Sequence, residues 1–256
     1  NMRCVKKLVE QAAERGCELL ALPECFHFIG CGKPGKRSID VAEPLDGEAI
    51  QFYRELAREH AMTLSLGGFH ELAERNLEQS NGDEGSVDSA GKVCNTHLIL
   101  SPSGEILSVY RKMHLFDFKE GGLLESRSTV AGDEIATVSM EGEANAILGL
   151  STCYDVRFPK LYAALRDRGA NILLVPSAFT VLTGRAHWHA LLQARAIECQ
   201  SYVIAAAQCG RHSAKRESYG HSLIVNPWGE EQGDENRNKN KNTQKELNKN
   251  KERIRE

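Results

Sequence analysis

Apolar residues first recur at helical spacing: Val5, Leu8, Val9, Ala12 and Ala13 share one side of a helix predicted from Cys4 to Gly16, whose glycine suits a left-handed closing position. ELLALPE follows as an apolar run without the alternation of a one-sided sheet, so it predicts a strand covered on both faces with Glu24 at its carboxyl end. The rhythm repeats with a helix over Leu45 to His60 and a strand in MTLSLGGFHE. It then changes, because KVCNTHLILSPSGEILSVYRKMH holds two β-rich runs joined by Ser101, Pro102, Ser103 and Gly104, a hairpin signal. IATVSM and ANAILGLSTC predict a strand pair, with Cys153 in the connection to a helix opened by Pro159 and ending at Gly169. ANILLVPSAF predicts a buried strand and His187 to Cys199 a helix with Trp188, Leu191, Leu192, Ala196 and Cys199 on one side. SYVIAAAQ and GHSLIVNPWGE complete the set, the last ending in a turn. Helix-strand units interleaved with hairpins predict an α/β protein with mixed sheets.

Two stretches break the pattern. Residues 73 to 92 are polar and Gly/Ser-rich and predict an exposed excursion. Beyond Glu230 the only large aliphatics are Leu247 and Ile254, and from Arg237 eight Lys/Arg against three Asp/Glu give +5, so a domain over 1–230 followed by a flexible, weakly basic tail over 231–256 is expected.

The 256 residues are 41% hydrophobic and 26% charged, enough apolar material for a sizeable core. A formal charge of -3 gives no global attraction for nucleic acid or an anionic lipid surface. The opening NMRCVKKLVEQAAERG has no apolar signal-peptide core, and no run of about 18 apolar residues occurs to span a bilayer. A soluble intracellular protein is expected, and the eight scattered cysteines are read as reduced thiols. Cys25, His27 and Cys31 suggest a zinc site, but no paired CxxC or histidine cluster completes a ligand set, so no metal is expected.

Three chemistry-bearing residues lie at strand ends, where α/β sheets place ligands: Glu24 in LPECF, Lys112 in YRKMHLFD and Cys153 in STCYDVRFP. Singly, a thiol is more often a small core residue, and a carboxylate or ammonium is more often solvated or paired. Together they answer a chemical need. A free thiol has a pKa of about 8.5, so a cysteine hydrolase needs a cation to favour the thiolate or a base to take its proton. Glu24 and Lys112 supply both. A papain-like Cys-His pair stays open as an alternative, although none of the nine histidines is singled out by spacing.

LPE, YRK.HL.D and C-Y-D-x-R-F-P resemble, in sequence and order, the three motifs of the nitrilase (carbon-nitrogen hydrolase) superfamily. LSLGGFHE, ESRSTVAGD, VPSAFTVLTGRAHWHALLQARAIE, YVIAAAQCGRH and SYGHSLIVNPWG extend the likeness over roughly residues 3 to 230, toward an amidase branch that acts on deaminated glutathione. The resemblance implies a four-layer αββα sandwich, with the family's first strand and its elements after NPWG missing from this chain. It implies Glu24 as general base, Lys112 as oxyanion-stabilising cation and Cys153 as nucleophile, with Glu125 of ESRST as a second glutamate beside them. Tyr154, whose neighbourhood supplies an oxyanion N–H, and Arg157, Phe179 and Thr180 are the candidate substrate binders. The reaction it implies is amide hydrolysis through a thioester, releasing 2-oxoglutarate and cysteinylglycine, with no metal or organic cofactor. A small-molecule amide is thus the expected partner, neither nucleic acid nor membrane, in a homodimer or higher homo-oligomer located in the cytoplasm or mitochondrion. Other carbon-nitrogen hydrolase activities (ω-amidase, carbamoylase, nitrilase) and an inactive interaction protein are the competing readings.

Overall fold

The computed structural model describes residues 1–30, 37–73, 91–119, 122–140, 142, 145–214 and 216–233. Most of the predicted excursion, the tail from 234 onward and Cys31 of the suggested zinc set lie outside the described residues.

Helix α1 (Met2–Glu14) buries Val5, Val9 and Ala12, and Gly16 beyond it has φ 70°. Strand β1 (Leu19–Leu22) follows, and α2 (Glu48–Glu59) turns Ile50, Tyr53 and Leu56 toward the same core. Then come β2 (Thr63–Leu72), β3 (Val93–Leu100) and β4 (Ile106–Arg111). A short hairpin of β5 (Asp117–Phe118) and β6 (Leu123–Leu124) precedes β7 (Thr129–Val130). The second half runs β8 (Thr137–Ser139), β9 (Ile147–Leu150), α3 (Pro159–Asp167), β10 (Ile172–Leu174), α4 (Val181–Cys199) and β11 (Tyr202–Ala205). It closes with β12 (Cys209–Arg211), β13 (Glu217–Tyr219), β14 (Leu223–Val225) and β15 (Glu231–Gln232).

Two mixed sheets result. One has the order β1-β2-β3-β4 with β7 also on β3, and β1 and β2 are parallel whereas β2, β3 and β4 are antiparallel. The other has the order β15-β14-β11-β10-β9-β8, parallel from β9 to β11 and antiparallel at its flanks.

Three apolar layers make the fold an αββα sandwich. Val9, Ile50, Tyr53, Leu64 and Leu98 fill the space between α1, α2 and the first sheet. Leu165, Leu173, Trp188, Leu192 and Val203 do so between α3, α4 and the second. Ile99, Tyr110, Leu148, Leu150 and Leu174 lie between the sheets. Successive strand residues point to opposite faces, so Leu173 meets the helices while Leu174 meets the other sheet. That two-sided burial is why the strands read as continuous apolar runs.

Helix α4 begins at Val181, six residues before the predicted start. Thr180 caps it, its Oγ1 accepting the Thr183 N–H at 3.3 Å. VLTGRA lacks apolar periodicity and contains a glycine of poor helix propensity, which hid this first turn. The NPWG turn is followed by β15, since ladder hydrogen bonds need no apolar side chains, and Glu231 there accepts from His189 Nδ1 at 2.9 Å.

Candidate active site

Backbone geometry at the strand ends brings three distant segments together. Glu24 lies two residues past β1, Lys112 one residue past β4 and Cys153 three residues past β9, so acid and cation come from one sheet and thiol from the other. Cys153 opens a 3-10 turn with φ 51°, a left-handed conformation that costs a β-carbon-bearing residue about 1–2 kcal/mol. Hydrogen bonds hold it there. The Cys153 N–H donates to Pro176 O at 2.9 Å, and buried Asp155 accepts from Thr152 N (2.9 Å), Tyr110 Oη (2.6 Å), His114 N (3.0 Å) and His114 Nδ1 (2.7 Å). Because Tyr110 is on β4 and His114 just beyond Lys112, this carboxylate ties the cysteine turn to the lysine segment.

Lys112 is 2% exposed, and its Nζ donates to Glu24 Oε1 at 3.0 Å and to Glu125 Oε1 and Oε2 at 3.1 and 2.8 Å. Asn95 on β3 adds a neutral clamp. Its Nδ2 donates to Glu24 Oε1 (2.9 Å) and Glu125 Oε1 (3.1 Å), and its carbonyl accepts the Lys112 N–H (2.9 Å). The Phe116 N–H fixes the other Glu125 oxygen at 2.7 Å.

The charges are mutually dependent. Burial pushes the Glu24 carboxyl up, but the Lys112 ammonium and hydrogen bonds from Cys153, Lys112 and Asn95 outweigh it and hold the group below its ordinary value. Burial pulls Lys112 down, yet Glu24 and Glu125 leave it well above the usual lysine range. Burial and the Glu24 charge push the Cys153 thiol well up, only partly countered by Lys112 and the Ala178 N–H at the sulfur. Near neutral pH the resting state is therefore thiol, carboxylate and ammonium, with the thiol beside the Glu24 carboxylate.

These groups line a cavity of about 300 Å³. Glu24, Lys112, Glu125 and Cys153 line it together, and so do the candidate binders Tyr154, Arg157, Phe179 and Thr180. The Arg157 guanidinium lies 5.8 Å from the Tyr154 ring centroid and 5.5 Å from that of Phe179, with Nη2 3.2 Å from His187 Nδ1. Thr180 contributes a cavity wall as well as its cap. The histidine in the cavity is His70, pulled down to about 4 chiefly by burial, so it is neutral at pH 7. A second cavity thiol, Cys25, is pushed up to about 12 by burial and the neighbouring Glu24 charge.

Comparison with known proteins is decisive at the family level: the model of the carbon-nitrogen hydrolase family matches residues 1–247. This chain belongs to that family. As a carbon-nitrogen hydrolase family member it is 48% identical over 237 residues to a deaminated glutathione amidase of Dictyostelium discoideum, covering 90% of this chain and 76% of that protein. It is 47% identical to the nitrilase and fragile histidine triad fusion protein NitFhit of Caenorhabditis elegans, of which it covers 49%. The crystal structure of the C. elegans NitFhit protein superposes with a TM-score of 0.77 at 46% identity, covering 91% of this chain and 54% of that one. A mutant of the amidase from Nesterenkonia sp. AN1, showing covalent addition of the acetamide moiety of fluoroacetamide at its active site cysteine, superposes with a TM-score of 0.68 at 26% identity. That match covers 92% of this chain and 80% of the amidase.

Sequence reasoning missed Asn95 and Asp155. Asn95 sits in a strand whose eight residues are all buried. A polar Asn-Thr-His run inside such a strand is itself the signal, since buried polar groups need partners. Asp155 lay within the cysteine motif, where the charge network drew attention to its neighbours.

Proposed function

We propose that this protein is a cysteine-dependent amidase that hydrolyses the carbon-nitrogen bond of a small 2-oxo acid amide, deaminated glutathione being the substrate to which its named relatives point. The observation that carries the reading is a buried Cys153 thiol lining one cavity of about 300 Å³ together with the Glu24 carboxylate and the Lys112 ammonium that is ion-paired to it. The covalent adduct at the active site cysteine of the Nesterenkonia amidase supports it.

The chemistry follows from the protonation states. Glu24 takes the thiol proton as sulfur attacks the amide carbonyl, so the thiolate forms only in the step that consumes it. Negative charge then grows on the carbonyl oxygen, stabilised by Lys112 and by an N–H at the cysteine turn, near Tyr154. Glu24 returns its proton to the leaving nitrogen, the C–N bond breaks and a thioester remains. Water, deprotonated by Glu24, attacks that thioester and releases the carboxylic acid with the thiol restored. Glu125 does not need to exchange protons: with both oxygens on Lys112, it holds the ammonium charged and in place.

Incubation with deaminated glutathione and intact-mass analysis tests this reading. The expected result is an acyl adduct on Cys153 and loss of turnover by at least about 10³-fold in Cys153→Ala. Full hydrolysis by Cys153→Ala would overturn it.

A further inference from the structure

Among the described residues five charged side chains line the cavity: Glu24 and Glu125 against Lys112, Arg157 and Arg216. Lys112 is consumed by the two carboxylates. Neither arginine takes part in any ion pair formed among the described residues. Arg157 is nevertheless occupied by two aromatic rings and His187. Arg216 is different: its side chain is exposed at the cavity, and among the described residues no carboxylate holds it.

Its backbone, by contrast, is fixed. Arg216 enters the second strand of the β12–β13 hairpin, its carbonyl accepting from His212 N (2.9 Å) and Ser213 N (3.2 Å) and its N–H donating to Ser213 Oγ (3.1 Å). The hairpin is docked on the cavity wall, because Ser218 bridges Thr180 and the Tyr219 N–H donates to Phe179 O at 2.9 Å. The guanidinium also acts as a positive neighbour on Cys25 and His70, which places its charge toward the Glu24 side of the cavity. A cation on an anchored arm, turned toward the candidate reaction centre and without an ion pair among the described residues, is suited to an anionic group brought by the ligand.

We propose that Arg216 is a specificity-determining residue that binds a carboxylate carried on the leaving-amine side of the scissile bond, so that the cavity selects amides bearing that carboxylate over otherwise identical ones in which it is neutralised. This rests on the amidase reading above and names the substrate class it would take. Charge-assisted, two-pronged recognition of a carboxylate by a guanidinium is worth about a 10- to 100-fold affinity difference at a partly exposed site.

The test pairs a residue change with a ligand change. Binding of deaminated glutathione, and of the same molecule with its glycine carboxylate converted to a carboxamide, is measured calorimetrically on Cys153→Ala protein with and without Arg216→Gln. The expected result is about 10- to 100-fold weaker binding of the acid on Arg216→Gln, with no change for the carboxamide and partial recovery of the acid in Arg216→Lys. In turnover by the otherwise unaltered protein, Arg216→Gln raises KM for the acid and spares kcat. Equal affinities for the acid with and without Arg216, or equal losses for acid and carboxamide, overturn the proposal. Absence of any turnover or acyl adduct would instead overturn the amidase reading, and the affinity difference would still decide the role of Arg216.

Discussion

At the scale of single residues, the informative atom is Glu24 Oε1. It accepts from both Asn95 Nδ2 and Lys112 Nζ, which in the proposed mechanism leaves the second carboxylate oxygen for exchanging protons with sulfur, leaving nitrogen and water. Asn95 matters because it donates without bringing charge. Its hydrogen bond is one of the influences that hold Glu24 below its ordinary value, so Asn95→Ala releases the carboxyl upward. In the proposed mechanism activity needs ionised Glu24 and is lost as pH falls through its pKa; the acid limb of kcat/KM in Asn95→Ala is therefore expected at higher pH than in the parent. Asn95→Asp should move it further, by setting a third carboxylate against two. An acid limb that stays put in both variants would show that Asn95 merely fills space. The sequence made Glu24, Lys112 and Cys153 legible because their motifs stand at strand ends. It did not make Asn95 legible, because its role comes from which residues face it across the seam of β1, β3 and β4.

Among the elements, strand β2 shows how tightly the site is framed. Its pairing with β3 shifts register between Leu66 and Phe69, at Gly67 and Gly68. A β-carbon on Gly67 would lie 2.1 Å from Pro176 Cβ and 2.5 Å from Leu22 O, and Pro176 is the residue whose carbonyl holds the Cys153 N–H. Gly67→Ala must therefore push the first sheet away from the cysteine's support. A loss of about 1–3 kcal/mol in urea unfolding is expected, with a fall in kcat that cavity-distant alanine substitutions do not share; unchanged stability would contradict the close approach. Among the described residues, periodicity located the six longest strands and three of the four α-helices near their observed positions. It missed the opening of α4 and the β12–β13 hairpin because both are fixed by tertiary contacts, Thr180 to Ser218 and Phe179 to Tyr219, rather than by an apolar stripe.

For the molecule as a whole, the two sheets are joined by polar groups as well as by the apolar layer between them. His97 on β3 is fully buried, with Nδ1 3.0 Å from Ser151 O and Nε2 2.7 Å from Ser65 Oγ. The carbonyl can only accept, so Nδ1 carries the proton and Ser65 donates to Nε2. Burial pulls this imidazole down to about 4. The sign follows: between the ordinary histidine value of 6.5 and about 4 the unfolded chain binds a proton that the folded one refuses, so stability falls as pH is lowered through that window. Each such group contributes a slope of about 1.4 kcal/mol per pH unit. His97→Gln is expected to flatten the dependence of unfolding free energy on pH between 6.5 and 4 by that amount, as read from denaturant titrations. An unaltered slope would remove His97 from the account. The carboxylate and ammonium of the proposed reaction centre are rooted in one sheet and the sulfur in the other, with Ser151 and its histidine bridge two residues from that sulfur. Neither half of the sandwich thus owns the chemistry. Sliding one layer past the other by about an ångström, a misplacement worth about 10²-fold in rate, would silence the centre while every strand kept its partners, which makes turnover a gauge of how faithfully the halves are aligned.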